Sequence, residues 1–130
     1  MTEKEMLNKR VWAVVGANKN PEKYGNIIYR RLKEKNYVVY AVNPSCDLVD
    51  GDPCYASLSA LPQKPDVINM VVSPKHGETY LREAGELGIK NAWFQPGTYD
   101  DSIMALTEEL NLTAVQACVL VVSQWFEPVW

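Results

Sequence analysis

Short apolar runs recur along this sequence with amphipathic stretches between them, and that alternation restricts the fold more than any other feature. The first run, Val11-Trp12-Ala13-Val14-Val15, is wholly apolar and stops at Gly16. An unbroken run of this kind marks a strand covered on both faces, as in a parallel sheet. Residues 25–35 follow with Ile28 and Leu32 four apart and basic residues on the far face, which makes an amphipathic helix. The β-branched and aromatic stretch 37–42 is the second strand. After it, "NPSCDLVDGDPC" reads as a turn-rich loop with at most a small ribbon at Leu48-Val49, and "SLSALP" as one helical turn ended by proline. Residues 66–72, "DVINMVV", form the third strand. Residues 75–88 form a helix with Tyr80, Leu81, Ala84 and Leu87 inward and Gly88 as its C-terminal cap. "NAWF", 91–94, is the fourth strand and ends at Gln95-Pro96-Gly97. A helix over 100–110 aligns Ile103, Leu106 and Leu110, with Asp100 and Asp101 at its positive end. "NLTAVQ" is the fifth strand. The order β-α-β-β-α-β-α-β predicts an α/β domain: a mostly parallel five-stranded sheet between two layers of helices.

The 130 residues fit a single domain, 1–130, with an apolar tail at 119–130. The net charge is −3, which argues against a nucleic-acid face. No apolar run approaches the roughly 20 residues of a membrane span. The N-terminal "MTEKEMLNKR" is charged and helical and has no apolar signal core, so a cytoplasmic protein is expected. Three cysteines, Cys46, Cys54 and Cys118, with no CxxC spacing, favour neither disulfides nor zinc. With one histidine, His76, no multi-histidine metal cage can form, and the acidic turn Asp47, Asp50, Asp52 lacks octahedral ligand spacing.

Ligands of open parallel sheets sit beyond the carboxyl ends of the strands. Those positions hold Gly16, Ala17, Asn18 and Lys19, then Lys23, Tyr24 and Gly25, after the first strand. Asn43 and Pro44 follow the second strand, Ser73 and Pro74 the third, Gln95, Pro96 and Gly97 the fourth, and Cys118 lies just past the fifth. A glycine leaves no Cβ in the way of a phosphate, and a helix opening near Gly25 offers unpaired N–H groups to an anion. The competing reading is two turn glycines in an α/β domain. Neither GxGxxG nor GxxxxGK[ST] occurs. The second strand ends Val42-Asn43-Pro44, without the acid that holds a bare ribose, which suits a ribose bearing phosphate. No catalytic constellation is visible: His76 would need Ser73 or Cys118 as a nucleophilic partner, and Cys118 reads first as a small core thiol, with a thiol facing the reactive end of a ligand as the alternative.

Gly-Ala-Asn…Lys-Tyr-Gly-Asn, then Val-Asn-Pro, then a strand ending Ser-Pro, then Trp-Phe-Gln-Pro-Gly, in that order, resembles the small stand-alone CoA-binding proteins. These are similar to the N-terminal domain of the succinyl-CoA synthetase α subunit and of related acyl-CoA synthetases. The resemblance spans residues 10 to 118. It implies a Rossmann-like domain that binds coenzyme A, free or acylated, by its adenosine 3′-phosphate 5′-diphosphate part. It places Gly16, Ala17, Asn18, Lys23, Tyr24 and Gly25 on the phosphates and Asn43 and Pro44 at the ribose. Val72, Ser73 and Pro74 fall at the adenine, and Gln95, Pro96, Gly97 and Cys118 toward the pantetheine.

One departure lies at the end. Many members place arginine before the rim cysteine and a charged helix after it. Here Ala117 precedes Cys118 and "VLVVSQWFEPVW" follows. The synthetases' catalytic phosphohistidine belongs to a separate domain, so the resemblance implies binding without a reaction. The alternatives are a small nucleotide-dependent oxidoreductase or acyl-transfer enzyme using Cys118 or His76, or a scaffold working through its tail. Large aromatics favour interfaces, so the tail either meets a second copy or another protein, or folds back on its own domain.

Overall fold

The computed structural model describes residues 3–130; the first two residues of the expected N-terminal helix lie outside them. Seven strands form one sheet: β1 (Val11–Val15), β2 (Val38–Val42), β3 (Leu48–Val49), β4 (Asp52–Tyr55), β5 (Val67–Met70), β6 (Asn91–Phe94) and β7 (Thr113–Gln116). The helices are α1 (Glu3–Leu7), α2 (Tyr24–Glu34), α3 (Pro74–Leu87), α4 (Asp101–Glu109) and α5 (Val119–Val122), with 3₁₀ turns at Leu58–Ala60 and Ser123–Trp125. The strand order is β3-β4-β2-β1-β5-β6-β7, and every pair is parallel except β3 with β4. From β1 the chain winds outward to β2 and β4, and from β5 outward the other way to β6 and β7. The direction of winding reverses between β1 and β5, and a crevice opens where it does.

Alternation along the strands splits the core in two. Trp12 and Val14 of β1 and Trp93 of β6 face α1, α2 and α5, together with Ile28, Leu32 and Val119. Ala13, Val15, Ile68, Met70 and Phe94 face α3 and α4, with Leu81, Ala84 and Ile103. Trp12 lies 5.8 Å from Trp93 and 5.7 Å from Tyr37, centroid to centroid. Both buried indoles are satisfied, Trp12 Nε1 by Lys9 O (2.8 Å) and Trp93 Nε1 by Ala117 O (2.9 Å).

The sheet has two strands more than the five expected. The segment read as turn-rich loop folds as the β3–β4 hairpin, and β4 then pairs with β2. Its turn is Asp50-Gly51, with φ of 51° and 80°. Positive φ at both central residues matches the twist of the flanking strands, and Asp-Gly is a residue pair that adopts it readily. That dipeptide was the available signal.

The apolar tail folds back over much of its length. Trp130 packs edge-on to Tyr37 (5.0 Å) beneath the Arg10 guanidinium (5.2 Å), and its Nε1 donates to Asn8 O at 2.7 Å. Lys35 Nζ donates to Phe126 O at 3.2 Å. Val121, Trp125 and Val129 remain exposed.

Candidate functional site

A cleft of about 450 Å³ opens at the crevice between β1 and β5. Its first wall is the loop that leaves β1. Gly16 has φ +96°, donates its N–H to Val42 O (2.9 Å), and lies against the chain just past β5: a Cβ there would stand 2.8 Å from both Val71 O and Val72 Cγ1. Gly25 is tighter, since a Cβ on it would stand 2.1 Å from Gly16 O. Both glycines are thus required by backbone meeting backbone, whatever else occupies the cleft. Between them the loop is held by amides. Asn18 Oδ1 accepts the Asn20 N–H (2.8 Å), Asn20 Oδ1 accepts that of Glu22 (3.0 Å), and buried Asn26 donates to Asn18 O (2.9 Å). Arg30 Nε donates to Asn26 Oδ1 at 2.7 Å and so fixes the Asn26 amide.

The helix ends are the chemically telling part. No side chain caps the N-terminus of α2, and its first turn carries no acid. The same holds for α3, which begins at Ser73-Pro74. By contrast α4, whose N-cap Asp100 is not part of the cleft wall, is capped by that carboxylate (Ile103 N to Asp100 Oδ1, 2.8 Å) and carries Asp101 in its first turn. Two helices therefore turn positive dipole ends toward the cleft, and α2 adds the N–H groups of Tyr24 and Gly25; α3 begins with a proline, and its His76 and Gly77 N–H groups donate to Ser73 O. Lys23 lines it and no carboxylate does. On a chain of net charge −3, the cleft is a locally positive surface.

The far wall is the turn after β6. Thr98 N–H donates to Gln95 O (3.1 Å), Pro96 and Gly97 occupy the central positions, and Gly97 has φ +86°. This is a type II turn, which proline and glycine favour at those positions. Gln95 is buried, and its Oε1 accepts the Val119 N–H (2.9 Å), which ties this turn to the start of α5. Cys118, half-buried, lines the cleft at that start.

Of the residues expected at the site, Gly16, Asn18, Lys23, Tyr24, Gly25, Val72, Ser73, Gln95, Pro96, Gly97 and Cys118 line this one cleft. Ala17, Asn43, Pro44 and Pro74 do not. Ala17 is buried beneath the loop, and Asn43 Nδ2 donates to Ala17 O (2.8 Å), so these two brace the cleft from behind. Val71 and Thr98 line it and escaped the sequence reading. Thr98 was legible as the last residue of the Gln-Pro-Gly turn, whereas nothing in the sequence marks Val71. Ser73 Oγ and His76 Nδ1 do meet, at 3.1 Å, but the pair is exposed and among the described residues no carboxylate orients the ring.

The profile of a family described as "CoA binding domain" matches residues 10–124. The chain belongs to that CoA-binding family. It is 37% identical over 85 residues to the α subunit of acetate–CoA ligase (ADP-forming) II of Pyrococcus furiosus, covering 65% of this chain. It spans only 11–19% of the length of the acetate–CoA ligases it matches. Stand-alone family-sized chains are similar over nearly their whole length. A hypothetical protein of Pyrococcus horikoshii superposes with a TM-score of 0.88 at 32% identity, covering 95% of this chain and 91% of that one. A conserved hypothetical protein of Pyrococcus furiosus gives 0.81 at 43%, covering 87% and 98%. Among the described residues, no helix is long and apolar enough to cross a membrane, and no three metal-binding side chains cluster.

Proposed function

We propose that the chain binds coenzyme A, or an acyl-CoA, in the cleft between β1 and β5, with its phosphates at the α2 N-terminus, and that it binds without catalysing a reaction. The observation that carries this is the pair of uncapped, acid-free helix starts beside Lys23 in a chain whose α4 is conventionally capped. Coenzyme A supplies a diphosphate, a 3′-phosphate and a thin pantetheine arm. The diphosphate suits Gly16–Gly25 and the free N–H groups of α2. The arm suits the neutral wall of Gln95–Gly97 ending at Cys118. Nothing in the cleft offers a buried acid–base pair to do chemistry on a thioester.

Calorimetry with coenzyme A, dephospho-CoA and NAD tests the reading. Coenzyme A should bind tightest, and Lys23→Ala should weaken it about five- to tenfold, the worth of one charge-assisted contact. Equal affinity for all three ligands overturns it. The Ser73–His76 contact keeps an enzymatic reading in view. Hydrolysis of an acyl-CoA by the purified chain that disappears in Ser73→Ala would favour that reading.

A further inference from the structure

Gln95 lines the cleft yet is only 5% exposed. It follows β6 directly and lies on the same face as Trp93, which packs in the layer of α5, so its side chain runs toward the start of that helix. Nearly every polar group it owns is fastened. Its main-chain N–H donates to Met70 O (3.3 Å), and its C=O accepts the Thr98 N–H (3.1 Å) and the Thr98 hydroxyl (2.6 Å). Its Oε1 accepts the Val119 N–H at 2.9 Å. A main-chain N–H can only donate, so the amide is held with its oxygen toward Val119 and its NH₂ the other way. Among the described residues, Nε2 donates to no protein group, and the unpartnered side-chain polar atoms sealed from solvent belong to Asn69 and Ser123. The Gln95 NH₂ is therefore open, and it opens on the cleft that the residue lines.

The wall around this donor, Pro96, Gly97, Thr98 and Cys118, carries no formal charge, and Lys23 belongs to the opposite wall. A neutral N–H in a neutral wall suits a neutral acceptor. The arm of coenzyme A offers such acceptors in its amide carbonyl oxygens, and an acyl-CoA adds that of its thioester. Resting on the coenzyme A reading above, we propose that Gln95 is a specificity-determining residue: Nε2 donates to a carbonyl oxygen of the arm, so that the arm is recognised as well as the phosphates. A buried donor left without an acceptor is unfavourable, and a site built around one rejects a ligand that brings none. The bond to Val119 holds the donor in place before the ligand arrives, which spares the ordering of a long side chain.

The test is calorimetry on the parent and on Gln95→Glu, which keeps an oxygen for the Val119 N–H and turns the donor into an acceptor. The ligands are coenzyme A, acetyl-CoA and adenosine 3′-phosphate 5′-diphosphate, which lacks the arm. Gln95→Glu should bind acetyl-CoA about tenfold more weakly or worse, from one lost hydrogen bond and two opposed oxygens. It should bind the armless nucleotide within about twofold of the parent. A loss on coenzyme A as well assigns the donor to an amide carbonyl, and a loss confined to acetyl-CoA assigns it to the thioester. In ¹⁵N-labelled parent protein, the Gln95 side-chain NH₂ resonances should move with acetyl-CoA and stay in place with the armless nucleotide; if Gln95→Glu does not fold, this measurement carries the test. The proposal is overturned if the variant weakens all three ligands equally or none of them, or if acetyl-CoA leaves the Gln95 NH₂ resonances unmoved. A parent that binds none of the three overturns the coenzyme A reading and this proposal with it, whereas a parent that binds both forms of coenzyme A and is matched by Gln95→Glu overturns this proposal alone.

Discussion

Replacing Gly25 by alanine asks whether the cleft is built by backbone contact. The added Cβ would stand 2.1 Å from Gly16 O and 3.0 Å from Ala17 Cα, against an ordinary carbon–oxygen contact of more than 3 Å. The Gly16 carbonyl would have to retreat by about 1 Å. It has little room, because Gly16 N–H is bonded to Val42 O and the Gly16 Cα lies against Val71. Overpacking costs about 1–3 kcal/mol, and a clash with backbone belongs at the top of that range. Alanine recovers at most about 1 kcal/mol of helix propensity, less at the first turn than inside the helix. A net loss of about 2 kcal/mol follows. For a chain of this size it lowers Tm by roughly 8 °C. Gly51→Ala is the control. Its φ is +80° with nothing within 4 Å, so it should lose only the left-handed penalty of about 1–2 kcal/mol and leave coenzyme A affinity alone. Thermal unfolding and calorimetry on both variants decide the matter. A Gly25→Ala protein that melts within about 2 °C of the parent, with undiminished affinity, refutes the reasoning.

Asp100→Ala removes the α4 cap and should cost about 1 kcal/mol with no change in coenzyme A affinity, measured by denaturant unfolding and calorimetry. Trp130→Ala loses its contacts with Tyr37 and Arg10; being 41% exposed, it should cost about 1–2 kcal/mol, and an unchanged unfolding midpoint would mean the tail does not dock. Burial pushes the Tyr37 phenol from 10.0 up to about 12, while its O–H donates to Leu7 O. Its contribution is therefore whole below pH 10 and is lost as pH rises toward 12, so denaturant midpoints should fall across that window and fall less in Tyr37→Phe. Burial likewise pushes the Cys54 thiol to about 11, so at pH 8 iodoacetamide should label Cys54 far more slowly than a free cysteine, as mass spectrometry of the digested protein would show.

Much of the site was legible because it sits where strands end, and strand ends are written locally. Gly16, Lys23, Gly25 and Gln95-Pro96-Gly97 are turn and helix-start signals that can be read one loop at a time. What stayed hidden depended on distance in space. Asn43 follows a strand like the other candidates, and only the fold shows that it lies outside the cleft lining with its amide bracing Ala17 O. β4 was missed because Asp52-Pro53-Cys54-Tyr55 has little strand propensity of its own; its place comes from the Asp50-Gly51 turn and from pairing with β2.

The amino-acid order alone determined the layers. Unbroken apolar runs must be covered on both faces, and helices of crossover length then have to lie on either side of a parallel sheet. Only the folded chain decided why two glycines are needed: the Gly16 carbonyl lies against Gly25 Cα, and Gly16 Cα lies against Val71 and Val72. The assembled chain also decided that Trp130 rests on Tyr37 while Trp125 faces solvent. These outcomes rest on contacts between segments far apart along the chain, and local pattern carries no record of such contacts.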